Sequence, residues 1–263
     1  MKYAADISSI IAGQDLISSF VNRTPVITSE ILNDATGRSL HFKCENLQKG
    51  GACNAVFSID DDTASKGVVT HSSGNHGAAL SLAAKLRGIP AYVVIPKKAP
   101  KCKVDNVLRH GGKVIWSEPS VESRESVAEK VLKETGGLLV HPYNDERIIS
   151  GQGTISLEFL QQVPELDMII CPISGGGLIS GVTLGAKSLK PSIKIIAAEP
   201  QRANDAALSK AANRIVKLKQ TDTIADGLRA SLGSLTWYPL NIRICEWFSS
   251  LFLHKQASGE GFS

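Results

Sequence analysis

Short apolar runs alternate with helical patterns along most of this chain. From about residue 67, Val68-Val69 starts the first run, Ala91-Tyr92-Val93-Val94-Ile95 forms the second and Lys113-Val114-Ile115-Trp116 the third. Leu138-Leu139-Val140-His141 is the fourth. Helical patterns fill the gaps, from Ala78 to Arg87 and from Ser120 to Glu134. The latter opens on a serine with early acids and closes on Gly136-Gly137, the composition of a capped helix. A second alternating region starts near Ser150, with a helix over Gly153 to Gln162. Asp167 to Ile173 is then a continuous apolar run, as in a parallel strand covered on both faces. Leu178 to Leu189 reads as a helix, and Ser192 to Ala198 returns as a strand. Such βαβ patterning predicts an α/β protein of two parallel-sheet lobes with a cleft between them. From Tyr238 no helix–strand alternation is visible.

Composition narrows the class. The 263 residues are 43% hydrophobic and 21% charged, a soluble globular balance. The net charge of +4 is scattered, which argues against nucleic acid as a partner. No run of about 18 apolar residues exists, which argues against a membrane span. The N-terminus lacks the apolar core of a signal peptide, and the five cysteines, odd in number and without a Cys-x-x-Cys pair, read as reduced thiols. A cytoplasmic protein is expected.

Two βα junctions carry candidate chemistry. Ser72-Ser73-Gly74-Asn75-His76-Gly77 joins a strand to a helix. Unpaired N–H groups and the helix dipole favour an anion there, and serine, asparagine and histidine add side-chain donors. In Ser174-Gly175-Gly176-Gly177-Leu178, successive glycines let backbone N–H groups approach a phosphate, although a tight turn would also use them. A dinucleotide fingerprint fails, because its third glycine position is Ser180. Glu199 and Asp205 stand at a strand end and in the loop after it, where they suit a hard divalent cation or simply solvent. His71, His110 and His141 show no metal spacing.

Taken together, the motifs resemble the serine racemase and threonine/serine dehydratase group of fold-type II pyridoxal-phosphate enzymes, in a plant-type version. The resemblance is carried by Thr24-Pro25-Val26 with Ser29, Lys43 to Gln48, Ser72 to Gly77 and Ser150 to Thr154. Ser174 to Leu178, Ala198-Glu199-Pro200 and Thr223 to Gly227 continue it in the same order. It implies a tryptophan synthase β-like fold. Residues 1–66 and 145–237 would form the large cofactor-binding domain and 67–144 the small α/β domain.

The resemblance also implies roles. Ser174, Gly175, Gly176, Gly177 and Leu178 would hold the phosphate of pyridoxal 5′-phosphate, and Asn75 its phenolic oxygen. Ser72, Ser73, Gly74, Asn75 and His76 would grip the substrate carboxylate, with Ser73 as the acid/base on one face. Glu199, the carbonyl of Ala203 and Asp205 would bind Mg²⁺ or Ca²⁺, and Ser29, Glu30, Ile31 and Lys49 match the region where ATP acts as an effector. The implied reaction is α-proton abstraction from an external aldimine of L-serine, D-serine or L-threonine, giving racemisation or loss of water and ammonia. The intact family implies a homodimer.

Two departures stand out. The family pattern Leu-Gln-x-x-Gly-(Ser/Ala)-Phe-Lys-x-Arg-Gly-Ala carries the Schiff-base lysine. Here Leu47-Gln48-Lys49-Gly50-Gly51-Ala52-Cys53-Asn54 has no Phe-Lys-x-Arg-Gly segment, and Lys49 matches a different family position. The tail, 238–263, does not resemble the family, so the C-terminal part of the large lobe is expected to be missing. Impaired turnover is therefore expected, and the alternative is a catalytically dead isoform acting as a binding or dimerisation partner.

Overall fold

The computed structural model describes residues 3–48, 50–72, 74–243 and 246–250. The elements run α1 (Ile7–Ile17), β1 (Val26–Ile27), α2 (Glu30–Thr36), β2 (Phe42–Lys43), α3 (Gly50–Phe57), α4 (Asp61–Ser65), β3 (Val68–Thr70), α5 (Asn75–Arg87) and β4 (Ala91–Pro96). They continue as α6 (Lys101–Arg109), β5 (Lys113–Ser117), α7 (Val121–Thr135), β6 (Leu138–Leu139), α8 (Glu146–Gln162), β7 (Met168–Pro172), α9 (Gly177–Leu189), β8 (Lys194–Pro200), α10 (Asp205–Ala212), α11 (Ser234–Arg243) and β9 (Glu246–Ser250).

Two parallel sheets carry the fold. The first has the order β5-β4-β3-β6. Its strands are apolar because helices cover both faces: Val68 packs with Ala79, Leu80 and Ala83 of α5, while Val69 and Val94 pack with Ala128 and Val131 of α7. The second has the order β7-β8-β9. Ile169, Cys171, Ile195 and Ala197 turn to one face and pack with Ile179, Val182 and Ala186 of α9. On the opposite face Ile170 is 63% exposed. Between the sheets, α8 packs against α1, α3 and α9. Residues of α3 share a core with Val68 and with Ala79 and Leu80 of α5.

The helix punctuation read from sequence is present: Ser120 Oγ accepts from Ser123 N–H at 3.1 Å, and Gly136 closes α7 in the left-handed region at φ 66°. Two segments differ from the sequence reading. First, α8 starts at Glu146, capped by Asp145, rather than at Gly153. Second, the chain past Tyr238 does continue the alternation: α11 reaches Arg243 and β9 pairs parallel to β8, with Ala198 opposite Phe248.

Candidate active site at two helix N-termini

The N-terminus of α5 is the first half of the site. Gly74 is the cap, so the N–H groups of Asn75, His76 and Gly77 have no intrahelical acceptor. The loop folds back tightly: a Cβ on Gly77 would lie 2.1 Å from the Ser72 carbonyl oxygen, which only glycine permits. Ser72 Oγ accepts from Gly74 N–H at 3.4 Å. Asn75 is exposed. His76 Nε2 donates to the Val140 carbonyl at 3.2 Å, and burial pulls its pKa down to about 4, so the imidazole is neutral near pH 7. Ser73, the expected acid/base, lies outside the described residues.

At the N-terminus of α9, Ser174 to Leu178 form a cradle of bare backbone. Gly176 adopts φ 92°, and the N–H groups of Gly177, Leu178 and Ile179 open the helix. Three side chains hold the loop from outside. Thr236 Oγ1 donates to the Gly175 carbonyl at 2.8 Å. Ser174 Oγ accepts from Ala230 N–H at 2.9 Å. The Tyr143 ring covers Gly175, where a Cβ would meet ring carbons at 2.3 Å. Converging N–H donors, a helix dipole and no charged side chain make a donor set that fits a phosphate.

A column of rings joins the two heads. His71 meets His141 edge-on at 5.3 Å between centroids, and His141 meets Tyr143 at 4.6 Å. Burial lowers the pKa of His141 to about 4 and also lowers that of His71, while burial raises that of Tyr143. Sequence reasoning missed Tyr143, His141 and Thr236 as site residues. Only the position of residues 141–144 directly after β6, at the crossover between the two sheets, could have signalled His141 and Tyr143.

Beside the cradle stand the two acids. The Glu199 carboxylate accepts from Ala207 N–H at 2.8 Å and from Ala206 N–H at 3.3 Å, and Asp205 Oδ2 accepts from Leu232 N–H at 3.1 Å. Burial raises Glu199 to about 7 and Asp205 to about 6, against the pull of these hydrogen bonds; the neighbouring Asp205 charge raises Glu199 further. Ala203 is buried in the short 3₁₀ turn between them. Among the described residues, no group of three or more His, Cys, Asp and Glu side chains is arranged to hold a metal.

The start of α3 is where the family pattern would carry its lysine. Here Gly50 and Gly51 lead directly into a helix whose residues through Val56 are buried, and Asn54 Nδ2 donates to the Arg147 carbonyl at 2.6 Å. Among the described residues, neither α3 nor the turn before it carries a lysine. Lys43 Nζ is engaged with Glu158 Oε2 at 2.7 Å and the Thr24 carbonyl at 2.9 Å. Lys49 lies outside the described residues. The donors of the cradle therefore fit the cofactor's phosphate, while α3, among the described residues, carries no lysine. Of the expected effector residues, Ser29 caps α2, Glu30 occupies its first turn and Ile31 is 81% exposed.

Comparison with known proteins identifies the family. The family model for "Pyridoxal-phosphate dependent enzyme" matches residues 17–246. A serine racemase of Arabidopsis thaliana is 69% identical over 242 residues, covering 90% of this chain and 73% of the relative. The solved structure of maize serine racemase superposes with a TM-score of 0.93 at 56% identity, covering 94% of this chain and 77% of that one. The processed form of threonine deaminase isoform 2 from Solanum lycopersicum superposes with a TM-score of 0.85 at 29% identity, covering 92% of this chain and 69% of that one. The chain belongs to the family of pyridoxal-phosphate dependent enzymes.

Proposed function

We propose that this chain is an amino-acid enzyme of the serine racemase type, with serine/threonine ammonia-lyase activity, whose own turnover is impaired. The observation that carries the family half is the bare-backbone cradle of Ser174 to Leu178, built at a helix N-terminus and matched to a phosphate. When bound, pyridoxal phosphate supplies an electron sink for the charge left as the α-proton departs. The chain's residues bind and orient. Ser174 to Leu178 would hold the phosphate, Asn75 would bond the phenolic oxygen, and Ser72 to His76 at the head of α5 would receive the substrate carboxylate. A neutral His76 donates through Nε2 to Val140 and adds no competing cation. Ser73 is assigned the acid/base role on one face.

Glu199, Asp205 and the Ala203 carbonyl would hold Mg²⁺ or Ca²⁺ in this reading, and the raised pKa values support it: burial disfavours both carboxylates, the Asp205 charge adds to this at Glu199, and a cation would offset these effects. ATP at Ser29, Glu30, Ile31 and Lys49 is the effector.

The impairment rests on the sequence Gly50-Gly51-Ala52-Cys53, which lacks the lysine-bearing segment. Losing a positioned catalytic group costs about 10² or more in rate. The second reading, a dimerisation partner without turnover, is favoured by α2, which buries no residue and presents Ile31 and Leu32 to solvent beside exposed Ile27 and Phe42.

The test is to supply pyridoxal phosphate and L-serine, then measure D-serine by chiral chromatography and pyruvate by a coupled assay. The expected result is retained cofactor with both products at least roughly a hundredfold slower than with the Arabidopsis relative. Inserting the family's Phe-Lys-x-Arg-Gly-Ala segment between Ala52 and Cys53 is expected to raise the rate. Cofactor lost on dialysis would sink the family function for this chain, and turnover matching the relative's would sink the impairment.

A further inference from the structure

The short connection between β6 and α8 does more than join the two sheets. His141 Nδ1 accepts from Asn144 N–H at 2.9 Å and from Tyr143 N–H at 3.4 Å. An acceptor nitrogen carries no hydrogen, so the ring is neutral with its hydrogen on Nε2. Burial and the neighbouring His71 keep it neutral, with a pKa of about 4. The two N–H groups it captures belong to Tyr143, which touches the cradle, and Asn144, which touches the head of α11. Tyr143 covers Gly175 with its ring and Gly177 with its Cβ. Asn144 Oδ1 accepts from Leu235 N–H at 2.8 Å, and Asn144 Nδ2 donates to Ser234 Oγ at 3.3 Å, so the same residue holds the head of α11. One residue further, Thr236 grips the Gly175 carbonyl. The cradle is thus pressed by Tyr143 and held by Thr236 of α11, and His141 Nδ1 fixes the backbone of both Tyr143 and the residue that anchors α11.

We propose that His141 is a positioning residue of the phosphate cradle: through Nδ1 it sets the 141–144 strap that presses on Gly175 and Gly177 and anchors α11. This rests on the phosphate reading of the cradle given above.

Three substitutions separate an acceptor role from mere packing. Asparagine offers a carbonyl oxygen near the place of Nδ1; phenylalanine keeps the ring contacts and loses the acceptor; alanine loses both. Two readouts are needed. The first is the affinity for pyridoxal phosphate by equilibrium dialysis. The second is amide hydrogen exchange of residues 143–144 and 175–178 in the chain without cofactor, which reports local opening whether or not the cofactor binds. His141→Ala and His141→Phe are expected to lose at least tenfold in affinity and to speed exchange in both segments. His141→Asn is expected to stay within threefold on both. Val131→Ala, which removes buried volume on α7 away from the strap, is the stability control and should leave exchange at 175–178 unchanged. Unchanged protection in the alanine and phenylalanine variants would overturn the proposal. So would an asparagine variant as open as alanine, or equal opening of 175–178 by Val131→Ala. If the unmodified chain fails to bind pyridoxal phosphate, the functional reading falls, while the exchange series still decides the role of His141.

Discussion

The heads of α5 and α9 are built from the same device and end with opposite furnishings. Both present the unpaired N–H groups of a helix start to a ligand. At α9 the loop is mostly glycine because its braces pack tightly on it: a Cβ on Gly175 or Gly177 would meet Tyr143 and one on Gly176 would meet Thr236, while Ser174 is tied to Ala230. At α5 the side chains remain, with Ser72, Asn75 and a neutral His76 around a single close approach at Gly77. A tetrahedral dianion needs many donors close to backbone and tolerates no Cβ. A planar carboxylate with a reacting carbon beside it needs side chains that can reach and exchange a proton. On the proposed reading, the contrast divides phosphate anchoring and substrate handling between the two helix heads, which the His71–His141–Tyr143 column bridges.

The largest effect that would break this contrast is expected from the glycines. Gly175→Ala puts a methyl group into the Tyr143 ring, an overpacking cost of about 1–3 kcal/mol, and is expected to weaken pyridoxal phosphate binding roughly ten- to hundredfold. Gly77→Ala drives a Cβ against the Ser72 carbonyl, which is backbone and cannot swing aside. It is expected to lower thermal stability by a similar amount but to spare the phosphate site. Dialysis and calorimetry on both variants check the pair, and equal loss of cofactor in the two would erase the division of labour.

A second effect separates the two regions by pH. His76 and His141 have pKa values lowered to about 4, so the unfolded chain binds the extra protons below pH 6.5 and stability falls as pH drops toward 4. Glu199 and Asp205 have raised values, about 7 and 6, so without a cation the folded chain loses their contribution as pH rises from the ordinary carboxylate range through those values. Mg²⁺ or Ca²⁺ at a hundredfold excess over its Kd should return about 2.7 kcal/mol at pH 8 and much less at pH 5. Thermal unfolding with and without the cation measures this, and Glu199→Gln should flatten the alkaline limb. A cation effect that is equal at both pH values would remove the acids from the site.

Much of the architecture was legible because it is local. The strands β3, β4, β5, β7 and β8 announce themselves as β-branched runs, and Ser120 and Gly136 punctuate α7. The start of α8 was missed because Gly151 and Gly153 lower helix propensity inside it, although Asp145-Glu146 offered a start signal. The strand β9 was missed because its identity comes from pairing with β8, across an intervening stretch that includes α10 and α11. The two anion loops were readable as βα junctions. Their braces were not, since Thr236 reaches Gly175 across 61 positions and Ser174 reaches Ala230 across 56. His141 looked like an ordinary histidine because its function lies in two backbone N–H groups that no side-chain pattern reveals.

The central claim is the proposal that the α9 cradle binds the cofactor through its phosphate without a Schiff-base amine. Phosphorus NMR of pyridoxal phosphate titrated with the unmodified chain and with Lys49→Ala tests it most directly. The account predicts a saturable, shifted phosphorus resonance with both proteins and its loss with Gly175→Ala. A resonance that stays at its free position with the unmodified chain, or binding that vanishes in Lys49→Ala, would contradict it.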